Sequence, residues 1–82
     1  MRISVRTAGL LGERLPKGSE PNRAEIEAAD GATPAAVMKQ LGFPEGAYLV
    51  SVNGKAVPIA ERKALKLKAG DDLAIMPPLK GG

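Results

Sequence analysis

The sequence contains no cysteine, no histidine and no tryptophan, and its 82 residues include a single phenylalanine, Phe43, and a single tyrosine, Tyr48. Without a thiol or an imidazole the chain has no ligands for structural zinc, blue copper or a histidine-bound haem. It also has no thiol nucleophile and no Ser-His-Asp triad. Its own side chains are therefore expected to catalyse nothing demanding, and the chain is read as a non-enzyme. A disulfide framework is impossible, an oxidising compartment has left no trace, and the cytoplasm is the expected location. The longest uncharged stretch, Gly46 to Gly54, is 9 residues, against the roughly 18 that would suggest a membrane span. Arg2 and Arg6 interrupt the opening segment, so no apolar signal-peptide core is expected and no membrane partner is implied.

What is present is a small aliphatic set. Leu, Ile, Val and Phe make up 19 of the 82 residues, enough for one folded domain with a modest core. Charge is mildly positive, 12 Lys and Arg against 9 Asp and Glu. The cations are unevenly placed: Arg62, Lys63, Lys66 and Lys68 crowd one stretch, and Lys80 stands near the end. Glu61, Asp71 and Asp72 flank that stretch and no aromatic side chain interleaves it, so nucleic acid is the weaker reading. A solvated turn, or docking of an acidic protein partner through Arg62, Lys63 and Lys66, suits the same residues better.

Periodicity divides the chain. Arg2 to Arg6 alternates, with Ile3 and Val5 on one face, as in a half-buried strand. From Ala8 to Asn22 glycines and prolines break any pattern, Leu10, Leu11 and Leu15 are expected to anchor the loop, and mobility is expected at Gly18 to Pro21. Arg23 to Ala29 alternates again and is expected to pair antiparallel with the first strand. Thr33 as N-cap and Pro34 at the first helical position then open a short helix carrying Val37, Met38 and Leu41, closed at Gly42. After a turn at Phe43 to Gly46, Ala47 to Val52 reads as a strand whose Tyr48, Val50 and Val52 share a face. Asn53-Gly54 predicts a type I′ hairpin, and Lys55 to Ile59 the return strand, placed at an edge by Pro58. Ala60 to Lys68 has room for a turn of helix with Leu65 and Leu67 inward. Ala69 to Asp72 is a turn, and Leu73 to Met76 the last strand, with Leu73 and Ile75 inward. Strands outnumber helices and one amphipathic helix needs a sheet face to cover, which gives a two-layer α+β domain over 1–76.

The final strand is followed at once by Pro77-Pro78-Leu79-Lys80-Gly81-Gly82. Two prolines lack the N–H that a ladder needs, so pairing should stop and residues 77–82 should form a flexible, outward-projecting tail. Extended, such a tail reaches about 20 Å at about 3.3 Å per residue. Gly81 and Gly82 have no β-carbon, which leaves the terminal carboxylate sterically bare.

With these features the sequence resembles the MoaD/ThiS family of ubiquitin-like sulfur carriers, which includes the small subunit of molybdopterin synthase and the thiamine-pathway carrier. The resemblance rests on the opening strand, Ala32-Thr33-Pro34 before the helix, Val52-Asn53-Gly54, Ala69-Gly70-Asp71-Asp72, and Pro77-Pro78 followed by Gly81-Gly82. It implies a β-grasp fold, a mixed sheet of four to five strands on one main helix with the first and last strands adjacent at the centre. It also implies that a ubiquitin-activating-like adenylyltransferase uses ATP and magnesium to convert the Gly82 carboxylate to an acyl adenylate. Sulfur from a persulfide donor then displaces AMP and leaves a thiocarboxylate for an acceptor enzyme such as the molybdopterin synthase large subunit. No cofactor is bound permanently by the carrier. The chain itself has no Gly-rich phosphate loop before a suitable helix, which fits a partner that handles ATP.

Within this resemblance Pro77-Pro78 favours the molybdopterin side, with thiamine, cysteine and tRNA thiolation as alternatives. Lys80 stands where molybdopterin-type tails usually carry a small residue and resembles the basic residue of ubiquitin, which keeps open a protein modifier linked through Gly82 to a lysine. A third reading, an RNA-binding module of S4 type, draws on Val50 to Lys55 as its hairpin but lacks two evident preceding helices.

Overall fold

A computed structural model describes residues 1–15, 22–44, 46 and 48–77. It contains five strands and one α-helix: β1 (Arg2–Arg6), β2 (Arg23–Glu27), α1 (Pro34–Gln40), β3 (Leu49–Val52), β4 (Lys55–Ala56) and β5 (Asp72–Met76). Short 3₁₀ segments lie at Gly9–Arg14 and Ile59–Glu61. The strands form one mixed sheet in the order β2-β1-β5-β3-β4. The first and last strands pair in parallel at its centre, Val5 opposite Leu73, and the other pairs are antiparallel. This is the β-grasp arrangement that the resemblance implied.

One face of the sheet is the core. Ile3, Val5, Ile26, Val50, Leu73 and Ile75 point inward, and Val37 and Met38 of α1 cover them. Val5, Val37, Leu73 and Ile75 are wholly buried, and each such side chain stabilises the fold by about 1.5–3 kcal/mol. The helix starts where expected: Thr33 Oγ1 accepts the Ala36 N–H at 3.2 Å, with Pro34 in the first turn. The β3–β4 hairpin turns on Asn53 and Gly54 at φ 52° and 84°, the left-handed values a type I′ turn requires.

Several expectations need correction. The return strand is two residues long, although the Val57 N–H still donates to the Val50 carbonyl. Pro58 then offers no N–H, and Ile59 opens the 3₁₀ turn. Leu65 is not inward but 39% exposed. The Glu61 carbonyl accepts from both Ala64 and Leu65, and this tight turn leaves Leu65 at the surface while Leu67 is drawn in by its N–H to the Ala32 carbonyl. In the Ala8 to Asn22 connection, Gly9–Arg14 forms a 3₁₀ segment where no regular pattern was expected, while Leu15 is buried and Leu11 packs on the core, as the sequence predicted. A single α-helix precedes the hairpin among the described residues, one short of the pair that the S4 reading needs. The Leu10 side chain, residues 16–21, Glu45 and Ala47 lie outside those described, and so does the expected mobility at 18–21.

No helix of the described residues is long and apolar enough to cross a membrane.

Candidate functional site: the tail exit and its flanking faces

The last strand delivers the chain to its candidate site. β5 ends at Met76, and Pro77, exposed and outside the ladder, is the last described residue. Pro78, Leu79, Lys80, Gly81 and Gly82, with their expected flexibility and roles, lie outside the described residues.

Strand register shows what surrounds the exit. Met76 faces Leu49, and Ala74 faces Ser51, which in turn faces Ala56. Because β3 and β5 bury Val50, Leu73 and Ile75, these partners occupy the opposite, outer face of the sheet. Leu49 is 47% exposed, one of three exposed large hydrophobic side chains among the described residues. An uncharged stripe of Met76, Leu49, Ala74, Ser51 and Ala56 therefore borders the end of β5. Its other margin is charged. Arg6 grips Asp72 with two bonds, at 3.1 and 2.5 Å, and Arg2 lies 3.9 and 3.5 Å from Glu25 and Glu27. Such exposed pairs add little stability, but they mark the limit of the apolar area.

Leu49 and Met76 were not singled out in the sequence as site residues. The available signal was alternation: if Tyr48 and Val50 face inward, Leu49 must face out, and a large apolar residue there is a feature worth explaining.

The basic stretch divides in two. Lys63, Lys66 and Lys68 are exposed, as a docking surface would require. Arg62 is 7% exposed. Its guanidinium donates to the Gly46 carbonyl at 3.3 Å and to the Tyr48 carbonyl, and its own carbonyl accepts the Ala35 N–H at 3.0 Å. Arg62 is thus a tie between the turn after β4, the approach to β3 and the start of α1, and it is withdrawn from the set of surface cations. Tyr48 packs edge-on against Phe43 at 5.6 Å between ring centroids, so the two aromatic residues brace the same corner.

At the other end of β5 the hairpin tip is locked to the turn before the strand. Asn53 donates to Asp71 at 3.0 Å and accepts the Asp72 N–H at 2.9 Å, and Asp71 accepts the Lys68 N–H at 2.7 Å. The Asn53-Gly54 and Gly70-Asp71-Asp72 motifs thus serve each other structurally and fix where β5 begins.

Comparison with known proteins agrees with this architecture. Residues 14–82 match the model of the ThiS family. No curated protein matches the chain. Among solved structures, the complex of subunits 1 and 2 of molybdopterin-converting factor from Helicobacter pylori 26695 aligns with TM-score 0.61 and 24% identity over 100% of both chains. Small archaeal modifier protein 1 of H. volcanii aligns with TM-score 0.69 and 20% identity over 95% of this chain and 98% of that one. Urm1 of Trypanosoma brucei aligns with TM-score 0.66 and 17% identity, covering 99% and 95%.

Proposed function

The chain belongs to the ThiS family of ubiquitin-like sulfur carriers, and on that premise we propose that it carries sulfur as a thiocarboxylate on Gly82 for molybdopterin synthesis. The observation that carries this reading is the run Pro77-Pro78-Leu79-Lys80-Gly81-Gly82 that follows β5 in the sequence, together with the uncharged outer stripe at the end of β5. A carboxylate is a poor electrophile until it gains a good leaving group, and the sequence has no Gly-rich phosphate loop before a suitable helix. A partner adenylyltransferase with ATP and magnesium joins the Gly82 carboxylate to AMP and releases pyrophosphate. The terminal sulfur of a persulfide donor then attacks the acyl carbon as AMP departs, forming an acyl disulfide with the donor. A second thiol of the partner proteins, since this chain has no cysteine, reduces that S–S bond, leaving the sulfur on Gly82 as the thiocarboxylate and the two thiols joined as a disulfide.

The carrier's contribution is presentation. Leu49 and Met76 give the partner an apolar surface where β5 ends, Lys63 and Lys66 steer it electrostatically, and Pro77, Pro78, Leu79 and Lys80 lead into its cleft. Gly81 and Gly82 pass where a β-carbon would block. The Helicobacter pylori structure, a complex between two subunits of molybdopterin-converting factor, supports an acceptor enzyme of that kind. Lys80 supports a second reading, a modifier whose Gly82 carbonyl is transferred to a lysine amine.

The test is the intact mass of the chain after incubation with its activating enzyme, ATP, magnesium and a persulfide donor. A gain equal to the difference between sulfur and oxygen supports the carrier, and a lysine-linked adduct supports the modifier. An unchanged mass, with no adduct and no pyrophosphate released, overturns both.

A further inference from the structure

Leu65, which the turn closed by the Glu61 carbonyl leaves 39% exposed, does not stand on a flat surface. It lines a groove of about 510 Å³ between the β3–β4 hairpin and residues 61–71, both described without a gap. Val52, half-buried, and Val57, buried, belong to the same wall. Val52 pairs with Leu73 at the start of β5 and packs on the core, whereas Leu49 pairs with Met76 at the strand's end and faces outward. The groove and the Leu49 and Met76 surface are thus separated by the length of β5 and by the sheet itself, and docking at the tail exit gives Leu65 no role.

Hydrogen bonds order the charges along this groove. Asp71 accepts from the Asn53 side chain at 3.0 Å and from the Lys68 N–H at 2.7 Å, which brings Lys68 to the hairpin tip, beside Lys55. Both oxygens of Asp71 are taken by these donors. Lys55 and Lys68 line the groove, are exposed and form no ion pair among the described residues. The hairpin end is therefore basic. Lys66 lines the groove as well, yet the basic end exists without it. At the other end the Leu65 N–H donates to the Glu61 carbonyl at 3.0 Å, so the exposed Glu61 stands beside Leu65. The surface thus passes from two cations, through an aliphatic wall, to one carboxylate.

We propose that this groove docks a short segment of a second protein, distinct from the activating enzyme, in which carboxylates neighbour aliphatic side chains. A carboxylate meets Lys55 and Lys68, where opposite charge fixes the direction in which the segment lies. An aliphatic side chain covers Leu65 and takes a large exposed apolar group out of water, while Glu61 accepts a backbone N–H of the segment. Because the groove lies at the start of β5 and the tail follows its end, the second protein holds the carrier while Gly82 is engaged elsewhere.

The test uses the full chain labelled with nitrogen-15 and two synthetic decamers, one alternating aspartate with leucine and one alternating asparagine with leucine. The acidic decamer should shift the amides of Lys55, Val57, Leu65 and Lys68 and leave Leu49, Met76 and Ala36 in place. Leu65→Ser and Lys55→Glu, both at exposed positions, should each weaken its binding by about tenfold while activation of Gly82 by the partner enzyme is unchanged. The proposal is overturned if the acidic decamer produces no shifts at millimolar concentration or shifts Leu49 and Met76 instead. Equal binding of the asparagine decamer, tighter binding of a uridine decanucleotide in the same groove, or insensitivity to both substitutions also overturns it. Loss of Gly82 activation in both variants would assign the groove to the activating enzyme and overturn it as well.

Discussion

Arg62, on the turn that follows β4, donates its guanidinium to the backbone carbonyl of Tyr48, the residue just before β3. This bond and its companion to Gly46 hold the corner from which Leu49 emerges onto the outer face of the sheet. Replacing Arg62 by Met keeps apolar volume but leaves both carbonyls without their donor. The expected loss is about 2 kcal/mol, lowering the melting temperature of a domain this small by about 10 °C. Arg62→Lys should fall in between, since an ammonium lacks the planar fork that spans two acceptors. Thermal unfolding followed by circular dichroism measures both, and an unshifted Arg62→Met midpoint would remove the tie.

Gly82→Val, or one residue added after Gly82, should abolish activation and leave the fold intact. An added residue moves the carboxylate by about 3.5 Å, whereas reaction requires atoms held within about 3–3.5 Å. Neither change touches Ile3, Val5, Val37, Val50, Leu73 or Ile75 of the core. ATP–pyrophosphate exchange and thermal unfolding should be run on the same samples. Full exchange with an extended tail contradicts the carrier reading, and unfolding would instead make the tail structural.

Leu49→Glu should weaken partner docking with little effect on stability. At 47% exposure the side chain contributes little to the core, so unfolding should change by no more than about 0.5 kcal/mol. A charge placed in the middle of a desolvated contact should cost affinity by about 2 kcal/mol. Titration calorimetry against the activating enzyme is the measurement. Undiminished affinity would move docking away from the outer stripe.

Lys63→Glu combined with Lys66→Glu should slow association with that enzyme, more at low salt than at high. Exposed charges act mainly on the encounter and are screened beyond about 10 Å at 0.1 M salt. Stopped-flow association rates across ionic strength give the answer, and equal rates for variant and parent at low salt would assign these lysines to solubility alone.

Gly54→Ala should destabilise the hairpin by about 1 kcal/mol, because Gly54 sits at φ 84° and a β-carbon is disfavoured there. Asn53→Ala should cost more, since it loses positive-φ tolerance together with the bonds to Asp71 and Asp72. Urea unfolding should rank the two in that order. The reverse ranking would show that the Asn53 bonds add nothing.

The sequence alone determined the local elements and the chemistry available to the chain. Alternation in Arg2 to Arg6 and Arg23 to Glu27, the Thr33-Pro34 start of α1 and the Asn53-Gly54 turn are short-range features. They are legible because strand period, capping and positive φ depend on residues within a few positions of one another. The absence of thiols and imidazoles, and the diglycine after two prolines, belong to the same level. Tertiary structure alone decided the fates of Arg62 and Leu65 and the partner that Leu49 meets on the outer face. An arginine in a basic run looks like a surface cation, and nothing nearby announces that carbonyls 14 and 16 residues away will capture it. Leu65 stays at the surface on the tight turn closed by the Glu61 carbonyl, while Leu67 is buried with its N–H tied to Ala32. Leu49 met Met76 because β5 inserted between β1 and β3, a pairing set by the burial of Val50, Leu73 and Ile75 together, which no local pattern encodes.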